Sequence, residues 1–292
     1  MKTRSKINFI IFFFYVFIFS TNLFAQEKDV LSLNECIKKA IENNRDLQTA
    51  SLNKRNPETR VGEKERAKSW RKKEIVYRIK KLYYDLLLTK ELIKLAEDVK
   101  SHFEKATEKA EKKLQSEDPD ITQQDVLKLK LGLVGSKDEL NRLEHDRKAI
   151  IESLKYELNI PREKKIDIKS KRLKQEKIEL KKIKADFKLD SDDKSSLKGK
   201  EVMFKIAKVY LKINKADDSI KIARDARKVS RGLLVTNLAN FDFGIGEAKD
   251  LFESLFIYMR SVKNYLEKVH EYNLAIAELS YETGKELSDL IY

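Results

Sequence analysis

Residues able to do chemistry are sparse in this chain. There is one cysteine, Cys36, and no histidine lies in its segment, so a thiolate–imidazole pair has no second member. A small buried hydrophobe on a short helix suits Cys36 better. The three histidines, His102, His145 and His270, are scattered and fall on helical stretches. They read as helix-surface positions rather than metal ligands. No Ser-His-Asp order, phosphate-binding glycine loop or paired-histidine zinc pattern is present. The sequence therefore predicts no catalytic group, cofactor or metal site, and a protein that is not an enzyme. Trp70 sits among Lys and Arg, a setting for a lipid interface or for a half-exposed packed ring.

With so little chemistry, the chain must work through shape. It has 292 residues, of which 38% are charged, with a net charge of +14. Only 8 Gly and 3 Pro are available for turns, which argues against a sandwich or a doubly wound sheet and for long helices. Residues 1–25 open with Lys2, Arg4 and Lys6, continue through an apolar run from Ile7 to Ser20, and end on Ala25. That is the plan of a secretory signal peptide. Its removal takes three positive charges and no acids, leaving 14 − 3 = +11. In an exported protein whose Lys alternate with Glu and Asp along helix faces, this charge describes solvated surface and not a nucleic-acid partner.

The apolar residues give the architecture. Leu251, Leu255, Tyr258, Val262, Tyr265, Val269, Tyr272, Ile276 and Leu279 alternate steps of four and three. That is the seam of a left-handed coiled coil. Val202, Ile206, Val209, Ile213, Ala216, Ile220 and Ala223 step likewise, and Ala226, Val229 and Leu233 extend the run. Turn residues in 237–246 separate the two stretches. An earlier pair shows the same design: Ile75 to Leu114 outward, Val126 to Leu154 back, with Pro119 in the turn 116–122 and Thr122 and Asp125 at the next helix start. Phe252, Phe256, Met259 and Leu266 lie beside the last seam and call for a further partner, the other hairpin or another subunit.

The pairs are copies. A shift of 127 places Glu74 on Glu201, Ile79 on Ile206, Tyr83 on Tyr210 and Asp98 on Asp225. A shift of 125 places Asp125 on Asp250, Ser136 on Ser261, His145 on His270 and Tyr156 on Tyr281. Matched Tyr, His and Asp point to internal duplication, since chance coiled-coil likeness would match Leu and Lys.

The exported start, the duplicated hairpins and the local motifs together resemble the TolC-like outer-membrane efflux proteins. Leu31 through Ala40 with Asn43-Asn44 looks like that family's opening short helix. Phe241-Asp242-Phe243-Gly244-Ile245-Gly246 with Asp250-Leu251-Phe252 looks like its second hairpin tip, and Tyr265, Tyr272-Asn273, Leu279 and Gly284 resemble the return helix. The resemblance implies a homo-trimer with a periplasmic α-barrel, a passive duct for efflux or type I secretion. Its tips would meet a periplasmic adaptor and an inner-membrane pump, in the outer membrane or periplasm of a Gram-negative-type envelope. It also implies that Asp250 and Glu253 ring an aperture, where three copies of an acid would repel unless hydrated or paired. Phe243, Gly244, Ile245, Gly246, Ile121 and Thr122 become the candidate adaptor-docking residues. Read without the resemblance, Asp250 is a helix-start acid favoured by the dipole, and Gly244 is a glycine that any tight helix end needs.

The chain departs from the family pattern in three places. Gly246 stands where the family has a basic residue. Glu117-Asp118-Pro119 replaces the glycine motif of the first tip. The chain is also much shorter than the family's, and neither 50–65 nor 161–200 offers a lipid-facing strand. The expected fold is all-α: two duplicated long antiparallel coiled-coil hairpins resembling the TolC α-barrel, with transmembrane strands not evident. The expected division is a signal peptide (1–25), a short helix and connector (26–64), a first hairpin (65–160), a charged linker (161–200) and a second hairpin (201–292). The linker carries 15 Lys plus Arg against 8 Asp plus Glu. The competing expectation is a soluble periplasmic coiled-coil protein, or an efflux remnant without its pore.

Overall fold

The computed structural model describes residues 29–44, 47, 61–119, 121–169, 172–178 and 197–284, with the side chains of its second and fourth helices described from 65 and 200 onward. The signal-peptide expectation, and most of the 50–65 connector, lie outside these residues. In order come β1 (Asp29–Leu31), α1 (Leu33–Glu42), α2 (Val61–Gln115), α3 (Gln123–Leu158), β2 (Ile166–Ile168), α4 (Leu197–Phe243) and α5 (Ala248–Thr283).

The helices pair as two antiparallel hairpins, α2 with α3 and α4 with α5. The hairpins join through α2 and α5, so α3 and α4 lie on the two flanks. The seam residues Ile79, Leu86, Val99, Ile213, Ile220, Val269 and Ile276 are all buried. The core has two parts. One sits near the tips, around Phe103, Leu129, Phe241, Leu251 and Leu255. The other lies at the far end, where α1, β1 and β2 pack on all four long helices. The antiparallel register between the hairpins is marked by ring contacts. Phe103 meets Phe252 with centroids 5.9 Å apart, and Tyr77 meets Tyr281 at 5.6 Å. The partner needed by the residues beside the last seam is thus largely the first hairpin: Leu266 is buried and Phe252 and Met259 pack against the tip core, while Phe256 stays exposed.

The duplication is visible in the backbone. α3 and α5 each have 36 residues, and they start and end 125 positions apart, Gln123 to Ala248 and Leu158 to Thr283. Both are stopped by a residue in the left-handed region, Asn159 (φ 52°) and Gly284 (φ 70°).

Four expectations need correction. The α4 seam does not run through Ala226, Val229 and Leu233. It keeps strict alternation from Ala223 through Arg227, Ser230 and Leu234 to Phe241; Ser230, Leu234 and Phe241 are buried, whereas Val229 is 73% exposed. The register of the helix outweighs the hydrophobicity of neighbouring positions, and Arg227 fills its seam place by stacking on the Tyr265 ring at 4.1 Å. Next, α4 runs through 237–243, so the turn is confined to residues 244–247. Asparagine costs a helix only a few tenths of a kcal/mol, and Asn237 uses its amide to donate to the Asp250 carbonyl across the tip (3.2 Å).

The third concerns 161–200, which is not simply a charged linker. Ile166–Ile168 pairs in parallel with Asp29–Leu31. Residues 172–178 are pinned by Asn273, which accepts from the Glu176 amide (3.0 Å) and donates to the Lys174 carbonyl (2.7 Å). A buried side-chain amide here replaces the strand partner that this backbone would otherwise need. His270 is likewise not a surface residue: its Nε2 lies 2.7 Å from Asp85 Oδ1 between α5 and α2.

Candidate functional site at the hairpin tips

The two tips are built on one turn. α2 ends in Lys113-Leu114-Gln115-Ser116-Glu117-Asp118. The Glu117 amide donates to the Leu114 carbonyl (3.2 Å) and the Asp118 amide to the Lys113 carbonyl (3.1 Å). At the end of α4 the Gly244 amide donates to the Phe241 carbonyl (3.2 Å) and the Ile245 amide to the Asn240 carbonyl (3.0 Å). This is the same Schellman closure twice. Its left-handed residue is Glu117 (φ 56°) in the first tip and Gly244 (φ 77°) in the second, 127 positions apart. The absent glycine motif of the first tip is therefore a change of residue, not of backbone.

Beyond the turn the tips diverge. In the first, Thr122 caps α3 and forms a reciprocal box with Asp125. The Thr122 amide and hydroxyl donate to Asp125 Oδ2 (3.1 and 2.6 Å), and the Asp125 amide donates to Thr122 Oγ1 (3.3 Å). Ile121 is buried in the tip core, and Lys113 pairs with Asp118 (3.1 Å). Of these two predicted docking residues, Ile121 is thus buried, while Thr122 stays exposed with its hydroxyl engaged in the cap. In the second tip the cap position is Glu247, whose side chain caps nothing. Asp250 occupies the position of Asp125, and without a hydroxyl cap its carboxylate has no hydrogen bond or ion pair among the described residues. Glu253 follows one turn later on the same exposed face, equally unengaged. Phe243 and Ile245 flank Gly244 and are 81% and 77% exposed. Gly246 is not a free position either: a Cβ there would meet Asn240 Cβ at 2.7 Å and the Asn240 carbonyl carbon at 3.0 Å. That close approach excludes a basic side chain at 246.

What the sequence pattern missed is the clamp between the tips. Lys109, on α2, donates through Nζ to the Phe241 and Asp242 carbonyls (3.1 and 2.6 Å) and to Asp242 Oδ1 (3.3 Å). Its ammonium thus neutralises the carbonyl end of α4, where a cation is favoured by the dipole. Lys113 Nζ lies 3.4 Å from where a Cβ at Gly244 would sit. A lysine on a solvated-looking helix face gives no signal of this in the sequence.

Cys36 is fully buried, and burial pushes its thiol up to about 12, far from a nucleophile's range. Among the described residues no group of His, Cys, Asp or Glu is arranged to hold a metal ion.

The same arrangement of helices occurs in solved structures. The outer-membrane channel OprN superposes with a TM-score of 0.68 at 10% identity, over 87% of this chain and 90% of that one. CusC, described for its folding and transmembrane channel formation, gives 0.66 at 10% identity over 89% and 95%. The CmeC outer membrane channel of Campylobacter jejuni gives 0.68 at 11% identity over 86% and 85%. This chain has the TolC-like channel fold. No protein-family model matches the sequence, and no curated protein matches it. At such identities the likeness is one of fold. Among the described residues no helix is long and apolar enough to cross a membrane.

Proposed function

We propose that the chain is a subunit of a TolC-like efflux or secretion duct: a passive, homo-trimeric tube whose second tip meets a periplasmic adaptor of an inner-membrane pump. The observation that carries this reading is the pair of unpartnered flanks. α3 exposes Leu127, Leu131 and Val134, and α4 exposes Phe204, Leu211, Ile222 and Val229 on the other side of the same hairpin pair. Apolar area on two different flanks fits a head-to-tail contact, α4 of one copy on α3 of the next, which closes into a ring. Within such a ring Asp250 and Glu253 would line the narrow end, and Phe243 and Ile245 would present an apolar knob to the adaptor.

The test is fractionation of the native protein together with its oligomeric state. Salt-resistant outer-membrane recovery as a trimer supports the duct, and Leu131→Glu with Val134→Glu should then yield monomers. A soluble periplasmic monomer would overturn it in favour of a helical interaction protein. In the trimer, Asp250→Ala with Glu253→Ala should alter ion leak; unchanged leak would remove the aperture role.

A further inference from the structure

At the end of the molecule away from the tips there is a cavity of about 670 Å³ between α1, the 69–84 stretch of α2 and the last turns of α5. Its walls are of two kinds. α1 buries Cys36 and Ala40 in the core and lays Leu33, Ile37 and Ile41, one helical stripe, half-covered along the cavity. Opposite, α2 presents Lys72, Lys73 and Lys80. Lys80 is only 5% exposed, and its ammonium donates to the Ser280 hydroxyl (3.3 Å) in the wall. Lys38 also lines it but is ion-paired with Glu42 (3.9 Å), and the lining carboxylate, Glu176, already accepts the Tyr84 hydroxyl at Oε1 (3.0 Å).

We propose that this cavity binds a single-chain anionic amphiphile of the fatty-acid class, its acyl chain on the Leu33–Ile37–Ile41 stripe and its head among Lys72, Lys73 and Lys80. The volume falls within the range of small-molecule sites. An apolar stripe facing a cluster of cations matches the two halves of such a ligand, and a buried ammonium makes a charged head worth more than it is in water. The proposal is independent of the duct reading: it holds equally for a soluble protein.

Calorimetric titration of the purified protein with dodecanoate, below its micelle concentration, tests it. Saturable one-to-one binding in the micromolar range is expected, with dodecanol at least about tenfold weaker. Dodecyl phosphate in parallel ranks the two head groups. Lys72→Ala with Lys73→Ala should weaken dodecanoate about tenfold, and Ile37→Gln with Ile41→Gln should do the same through the chain half. Lys137→Glu with Lys148→Glu, a larger charge change on the exposed face of α3, should leave binding as it was. The proposal fails if neither anion saturates, if dodecanol matches dodecanoate, if inorganic phosphate alone binds as tightly, or if the α3 variant weakens binding as much as the cavity variants.

Discussion

The first tip and the second share a backbone and differ in what that backbone leaves free. Both close α2 and α4 with the same turn, and both restart a 36-residue helix. In the first, Thr122 and Asp125 satisfy one another, Lys113 holds Asp118, and Ile121 is buried. In the second, Glu247 in place of a hydroxyl cap releases Asp250, and Phe243 and Ile245, at the positions of Ser116 and Asp118, stand out in solvent. Duplication preserved the scaffold; changed residues at equivalent positions moved one copy from self-satisfaction to outward display.

The largest way to break the comparison is at Phe241, the anchor of the second tip. It is fully buried and its carbonyl is held by Lys109. Phe241→Ala should cost about 3–5 kcal/mol in urea unfolding, with hydrogen-exchange protection lost first around residues 234–255. Equal loss across both hairpins would mean that the tips are one cooperative unit. Next comes the left-handed position. Gly244→Ala should cost about 1–2 kcal/mol, whereas Glu117→Gly, at the equivalent position, should gain about 0.5–1 kcal/mol. If both changes move the unfolding midpoint in the same direction, the shared turn is not what sets their cost. Smaller again, Glu247→Thr should rebuild the first tip's box in the second and stabilise by about 1 kcal/mol. It should also occupy the Asp250 carboxylate and mimic Asp250→Ala in a leak assay. A leak response without that match would separate the cap from the aperture.

How far the sequence led depended on the kind of physics. The hairpins were legible because burial along a coiled coil repeats every 3.5 residues, and the duplication because Tyr, His and Asp recur at fixed offsets. The short strands were not: three residues of Ile-Asp-Ile amid lysines carry no period, and only the distant Asp29–Leu31 segment makes them a strand. The α4 seam misled because Ala226, Val229 and Leu233 are apolar, while the positions that register demands hold Arg227 and Ser230. At the tips, Gly244 and Asp250 were readable as residues. The contrast between Asp125 and Asp250 became visible only once the capping bonds were known, since a carboxylate's availability depends on its neighbours' geometry and not on its type.

The smallest test extends the comparison from tips to shafts. Glu139 on α3 accepts from Arg142 and from Lys263 on α5, whereas its repeat equivalent is Asn264. The Arg142 hydrogen bond, helped by the Lys263 charge, holds the Glu139 carboxyl below its ordinary value. A carboxyl with a lowered folded value stabilises above the unfolded value and loses that contribution as pH falls through the folded one. The link between α3 and α5 should therefore weaken as pH falls below the ordinary glutamate range. Glu139 is largely solvent-screened, so the effect is a fraction of a kcal/mol. Hydrogen exchange should show α3 loosening in acid before α4, and Glu139→Gln should remove the difference. Equal acid loosening of both flanks, or no change in the Gln variant, would place the acid sensitivity away from Glu139.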